Sequence, residues 1–349
     1  MSEEICRWGI LGTAGIAKKN WQSIKNAGNA RLVAVASRDA SRAQAYVDEC
    51  QAHVAFDPAP RAVGSYEELL ALAPPGLEAE CADEMIARRV QQCLDNIDRL
   101  SATLSEATPD VVIVVGDDQH EQFFEDNMPS ISIYWGATIL NNVLDLPEDA
   151  PEFWKRARSM YHETDGPREY PVASELGRHL IEHLVTEEFD ISHSTRLPRE
   201  RGEGHAFAFV HKRLICDNVV PIVPIALNTY FPPNQPLPKR CYALGCAVRD
   251  AVESWPENAR VAVIASGGLS HFTIDEELDR GILEACRAHD AATLTNVPLN
   301  KLRSGNSEIR NWIVVAGAAT GLTTEWQDYV PYYRSEAGTG VGAAFAVWS

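Results

Sequence analysis

Apolar residues in this chain fall into two alternating patterns. Short unbroken runs, Ile5–Leu11, Arg31–Ala36, Asp110–Gly116, Ser130–Trp135, Val219–Leu227 and Ala259–Ala265, have the length and character of strands. Between them lie stretches with apolar residues at helical spacing: Gly15 to about Asn26, Ala40–Cys50, Ala173–Glu187, Lys239–Ser254, Glu276–His289 and Ser307–Ala319. The longest, Glu78–Ala107, places Met85, Ile86, Val90, Leu94, Ile97, Leu100 and Leu104 on one face. Asp110–Gly116 carries no polar alternation, as expected of a strand covered on both faces. Ser65-Tyr66-Glu67-Glu68 has the chemistry of a capping box and predicts a helix start. Strands alternating with helices predict an α/β fold with three layers and a mostly parallel sheet.

Charge narrows the partners. The 349 residues hold 31 Lys+Arg against 49 Asp+Glu, a net charge of −18. Such a surface repels polyanions, so nucleic acid and anionic membranes are not expected partners. Residues 1–72 are neutral, with 8 basic and 8 acidic residues, so the whole deficit lies beyond them. No apolar stretch approaches the length of a membrane span, and the start MSEEICRW lacks a secretory pattern, so a cytoplasmic location is expected. Eight cysteines without a C-x-x-C pair predict reduced thiols and neither a zinc site nor a disulfide framework.

The first chemical motif is the turn Gly12-Thr13-Ala14-Gly15 between a strand and a helix, where free N–H groups and the helix dipole favour a phosphate. The dinucleotide fingerprint G-x-G-x-x-G/A maps onto Gly12, Ala14 and Ala17, with Ala at the middle position. Ser37-Arg38 stands at the end of the second strand, where an acidic ribose ligand is usual. That favours NADP over NAD, with Gly12, Ala14, Gly15, Ser37 and Arg38 as candidate contacts. A tight βαβ turn that binds nothing accounts for the spacing equally well. WGILGTAGIA, NARLVAVASRD and RAVGSYEELLA resemble the start of the glucose-fructose oxidoreductase and inositol dehydrogenase family, over residues 5 to 72. That family's Lys-Pro motif and its substrate domain do not follow here.

The second set of motifs lies beyond residue 72. His120 in GDDQHEQFF and His271 in ASGGLSHF follow apolar strands. His205 lies in RGEGHAFAF, and Glu308 in GNSEIRNW starts a helix. Open α/β sheets gather their sites at the carboxyl ends of strands. Two histidines and a carboxylate form the donor set of non-haem Fe(II), and a further unligated histidine can move protons. Taken singly, such histidines are more often structural, and a Glu in a first helical turn is usually a dipole partner.

Together, PDVVIVVGDDQ, RGEGHAF, VPIVPIALNTYFPP, KRCYALGCAVRDAVES, ASGGLSHF, GNSEIRNWIVVAGA and AGTGVGAAFAVW resemble class III extradiol ring-cleavage dioxygenases of the protocatechuate 4,5-dioxygenase catalytic-subunit type, over residues 65–349. The resemblance implies Fe(II) held by Glu308 and His120, His271 as acid/base, His205 as a neighbouring histidine for substrate or oxygen, and a catechol-type diol and O2 as substrates. Phe123, Phe207 and Phe272 are candidate pocket walls or core residues. A homo-oligomer or a small partner subunit is compatible with it. Two departures stand out. A gapless count puts Gln119, not His120, at the ligand position of the family's Asn-Asp-His. The family's first histidine, in Gly-Thr-Ser-His, is replaced by Gly12-Thr13-Ala14-Gly15, and His53 is the only other upstream histidine beside it.

These observations predict a partial Rossmann-like unit over 1–72, joined near Ser65–Leu70 to a dioxygenase-like catalytic domain over 73–349. The expected function is extradiol ring cleavage, impaired by the missing iron ligand. The alternatives are an NADP-binding oxidoreductase or sensor, and a non-catalytic binding protein that keeps the dioxygenase fold.

Overall fold

The computed structural model describes residues 5–27, 30–72 and 76–349. It divides into two compact units, Met1–Ala87 with Tyr333–Gly340, and Arg88–Tyr332 with Val341–Ser349. The boundary falls inside a helix, beyond the expected join.

The first unit begins with β1 (Cys6–Leu11), α1 (Gly15–Asn26), β2 (Ala30–Ala36), α2 (Ala40–His53), β3 (Arg61–Val63) and α3 (Tyr66–Leu70). Its strands form a parallel sheet in the order β1-β2-β3. Asp39 caps α2, its carboxylate accepting the Ser41 N–H at 2.8 Å. Ser65 caps α3 by accepting the Glu68 N–H at 3.1 Å, and Glu68 reaches back to the N–H of Gly64 at 3.2 Å. The predicted capping box therefore closes one residue further back than the standard pattern. The core gathers on Trp21, Leu32, Val35, Tyr46, Val47 and Phe56. Trp21 meets Phe56 edge-on at 5.3 Å and donates its indole N–H to the carbonyl of Val54 at 2.8 Å.

Helix α4 (Asp83–Ala107) leads to β4 (Val111–Asp117). Then come β5 (Ile131–Tyr134), β6 (Thr138–Asn141), α5 (Glu152–Ser159), β7 (Arg168–Pro171), α6 (Ser174–Thr186), β8 (Ser192–Ser194) and α7 (His205–Val210) with a π-helical turn at His211–Ile215. After these come β9 (Ile222–Leu227), α8 (Pro238–Ser254), β10 (Val261–Ala265), β11 (His271–Thr273), α9 (Glu276–Arg287) and α10 (Ala291–Thr295). A 3-10 turn at Ser304–Glu308 then runs into α11 (Ile309–Ala318), and β12 (Thr324–Tyr333) and β13 (Thr339–Trp348) end the chain.

The main sheet has the order β10-β4-β9-β5-β8. Strands β10, β4 and β9 are parallel to one another and β5 is parallel to β8, so the sheet is mostly parallel as expected, with one antiparallel pairing where β5 meets β9. Strand β4, paired on both edges, explains the three layers. Val111, Ile113 and Val115 pack with Leu176, Leu180, Leu244 and Ile313 of the helices on one face. Val112 and Val114 pack with Phe207, Val210 and the Ile97–Leu104 stripe of α4 on the other. Phe207, a candidate pocket wall, thus belongs to this core. Helices α8 and α11 touch through glycine: a Cβ on Gly245 would lie 1.9 Å from the carbonyl oxygen of Val314. Among the described residues no helix is long and apolar enough to cross a membrane.

Candidate active site

Parallel strands β4, β9 and β10 end side by side, and the segments that leave them carry polar residues toward one point. Asp117 closes β4 and Gln119 follows it, Tyr230 follows β9, and Ser266-Gly267-Gly268 follow β10. Glu308 enters from the 3-10 turn before α11, and His205 opens α7.

Glu308 is the hub. Its Oε1 accepts the Tyr230 hydroxyl at 2.7 Å, and its Oε2 accepts the N–H of Gly268 at 2.9 Å. The Gln119 amide nitrogen lies 3.4 Å from Oε1, and His271 Nε2 lies 3.5 Å from Oε2. The turn at Gly267 has φ +149°, and a Cβ there would stand 3.1 Å from Glu308 Oε2 and 3.0 Å from the Asn311 amide. Only glycine lets the loop lie this close to both side chains.

His271 is held from behind. Its Nδ1 lies 2.9 Å from the carbonyl of Leu269, which can only accept, so Nδ1–H donates there and Nε2 is the ring atom turned toward Glu308. Its backbone N–H donates to Asn306 at 2.8 Å, and a Cβ on Gly305 would come within 2.0 Å of the His271 Cβ. The loop is pinned by Asp279, which accepts the Ser270 N–H at 2.8 Å, the Ser270 hydroxyl at 2.6 Å and the Tyr329 hydroxyl at 2.7 Å. Burial raises the Asp279 carboxyl above its ordinary range, against those donors.

His205 is set by Glu121, which accepts its N–H at 2.9 Å and its Nδ1 proton at 2.8 Å. Burial opposes charge on this ring, but the Glu121 carboxylate outweighs it, and the His205 pKa is raised to about 9. The other end, Nε2, lies 3.4 Å from the Gln119 amide nitrogen. Asp117 is only 1% exposed, and burial, reinforced by the charge of Glu308, lifts its carboxyl to about 7. It accepts from Asn311 at 3.2 Å and lies 3.4 Å from the Gln119 amide. Burial and the neighbouring Glu308 also push the Tyr230 phenol upward. Side-chain exposures of 29% at His205, 19% at His271 and 6% at Glu308 leave the point open to solvent past the two rings.

The structure therefore brings Glu308, His271 and His205 together and leaves His120 out. His120 has φ +60°, which turns its side chain away from the direction Gln119 takes. Its ring stacks on Phe231 at 3.8 Å and Phe124 at 5.1 Å, and Nε2 lies 3.3 Å from Glu125. Phe272 is half exposed, and His53 is an exposed residue at the end of α2. Tyr230, Asp117, Glu121 and Asn311 were not singled out from sequence. In the first unit Gly12 has φ +88° and donates to the Ala36 carbonyl at 2.8 Å, Ala14 precedes α1 and Gly15 opens it, Ser37 is buried, and Arg38 is exposed.

The donor set departs from a two-histidine, one-carboxylate iron centre. A carboxamide, Gln119, stands beside Glu308 where an imidazole is needed, and the oxygens of Glu308 already accept from Tyr230 and Gly268. Among the described residues no three His, Cys, Asp or Glu side chains are grouped to hold a metal. The residues present fit that centre only in part, with one carboxylate and neighbouring histidines but a carboxamide at one donor position.

Known proteins are similar to this chain in sequence. Residues 81–346 match the family described as the catalytic LigB subunit of aromatic ring-opening dioxygenase. Gallate dioxygenase of Pseudomonas putida is 32% identical over 174 residues, covering 45% of this chain and 50% of that protein. The 2,3-dihydroxyphenylpropionate/2,3-dihydroxicinnamic acid 1,2-dioxygenase of Comamonas testosteroni is 29% identical over 197 residues, 56% of this chain and 52% of that one. A protein named as a second form of the latter, from Dechloromonas aromatica, is 27% identical over 175 residues, with 50% and 47% covered. The chain thus spans about half the length of the curated relatives it matches. With the family matched over most of its length, the chain belongs to the LigB family of aromatic ring-opening dioxygenases.

Proposed function

We propose that this chain carries out extradiol cleavage of a catechol-type aromatic diol with O2, using the Glu308–His271–His205 site. The convergence of these three residues at the ends of β4, β9 and β10, in a chain of this family, carries the reading. His271 takes a proton from a diol hydroxyl on Nε2 and later returns it, its tautomer fixed by the Leu269 carbonyl. His205, charged and paired with Glu121, offers Nε2 to a developing negative charge on the substrate. Tyr230 and the Gly268 N–H fix the orientation of Glu308.

Iron is the metal that the family resemblance implies, and it would supply the activation of O2. We expect it to be held weakly here, because a carboxamide is a poorer donor than imidazole, and the ring-cleaving activity to be correspondingly low. The test is oxygen uptake and ring-opened product from catechol-class diols with added Fe(II). Turnover that falls at least ~100-fold in His271→Gln supports the reading. No uptake by the folded protein at any Fe(II) concentration overturns it, in favour of a binding protein that keeps the fold.

A second reading rests on the first unit. The left-handed Gly12 and the start of α1 at Gly15 form a turn suited to a phosphate, with Arg38 available for an NADP 2′-phosphate. Saturable quenching of NADPH fluorescence, reduced in Arg38→Gln, supports this reading, and no saturable change removes it.

A further inference from the structure

The first unit holds a cavity at the edge of its sheet opposite the glycine turn. Arg7, Arg31 and Arg61 stand at the starts of β1, β2 and β3, whereas Gly12 follows the carboxyl end of β1. Arg7 and Arg31 are direct register partners on adjacent parallel strands, which places their backbones about 5 Å apart. All three arginines line one cavity of about 400 Å³, together with Leu32, Val33 and Leu72. That volume falls in the range of roughly 300–1,000 Å³ typical of small-molecule sites.

Two features bear on what this cavity would hold. None of the three guanidinium groups has an ion pair or side-chain hydrogen bond among the described residues. The cluster also sits in a chain of net charge −18. Three unpaired cations around one cavity repel one another, and an anion that enters relieves that repulsion.

The number of cations selects the anion. A carboxylate is planar and has two oxygens, which one or two guanidinium forks satisfy. A phosphomonoester carries up to two charges and presents three terminal oxygens, enough for three forks. Leu32, Val33 and Leu72 give the rest of the ligand an apolar wall. We propose that this cavity binds an organic phosphate, a phosphomonoester on a small apolar or aromatic body, through Arg7, Arg31 and Arg61.

The test is calorimetric titration of the full chain with phenyl phosphate at low ionic strength, with benzoate as the carboxylate counterpart. Saturable binding of phenyl phosphate, at least about tenfold tighter than benzoate and weakened at least about tenfold in each of Arg7→Gln, Arg31→Gln and Arg61→Gln, is the expected result. Added salt should weaken it further. These side chains are exposed, so the variants should keep the wild-type circular dichroism, and three separate substitutions guard against one that does not. Arg38→Gln should leave the affinity unchanged, which separates this cavity from the glycine turn. Absence of saturable binding, equal affinity for benzoate, wild-type affinity in the three variants, or loss in Arg38→Gln alone would each overturn the proposal.

Discussion

Glu121→Gln isolates the group that keeps His205 charged. The substitution preserves size and an acceptor for the His205 N–H, and removes the carboxylate 2.8 Å from Nδ1. Raising an imidazole from 6.5 to about 9 corresponds to about 3 kcal/mol of preference for the charged ring in the folded state. With 29% of the His205 side chain and 25% of Glu121 exposed, solvent screening reduces this to roughly 1–2 kcal/mol. Because the folded value lies above the unfolded one, the stabilisation is fully present below about pH 6.5 and is lost as pH rises through about 9. The variant should lose that contribution in the lower range and match the wild type above about pH 10. The measurements are urea denaturation across this range and NMR titration of the His205 ring, assigned by comparison with His205→Gln. A wild-type ring that titrates near 6.5, or a variant ring that still titrates near 9, would refute the reasoning.

Other substitutions probe other parts of the account. Gly245→Ala should destabilise the fold by about 3 kcal/mol or more in urea, since the new Cβ meets the Val314 carbonyl at 1.9 Å and overpacking outweighs the gain in helix propensity. Gly281→Ala, in α9 with nothing within 4 Å of the new Cβ, should instead stabilise by about 0.5–1 kcal/mol. Asp117→Asn should raise stability near about pH 8 by up to about 4 kcal/mol. It removes a buried carboxyl whose folded value of about 7 lies above its ordinary one, so that wild-type stability falls as pH rises through that interval. Gln119→His should increase Co(II) affinity at least about tenfold by visible absorption, and no change would show that position 119 is not turned toward a metal.

Much of the architecture is legible from periodicity. Strands β4, β9 and β10 and helices α6, α8, α9 and α11 lie where their apolar patterns place them, because each buries a continuous face. Short edge strands such as β3 and β8, three residues each, are too brief to carry a period. The strands β12 and β13 escaped notice because Pro331 and the glycines from Gly338 to Gly342 read as turn residues. In the site, His271, His205 and Glu308 announce themselves by residue type next to strand ends. Tyr230 and Asp117 do not, since a tyrosine two residues before a double proline and an acid after an apolar run are ordinary loop chemistry until the fold sets them against Glu308. The choice between Gln119 and His120 depends on one backbone angle, the φ of +60° at His120, which spacing does not encode. His211 shows the limit from the other side. It lies in no motif, yet it is fully buried, with Nδ1 2.9 Å from Glu203, and it stacks on Tyr170 at 4.0 Å.

The most direct test of the central claim is the ultraviolet difference spectrum of catechol titrated into the folded chain, without added metal, in wild type, His271→Gln and Glu308→Gln. The account predicts saturable binding with the signature of the catecholate monoanion in wild type, and loss of that signature in His271→Gln. No saturable binding, or an identical monoanion spectrum in all three proteins, would contradict it.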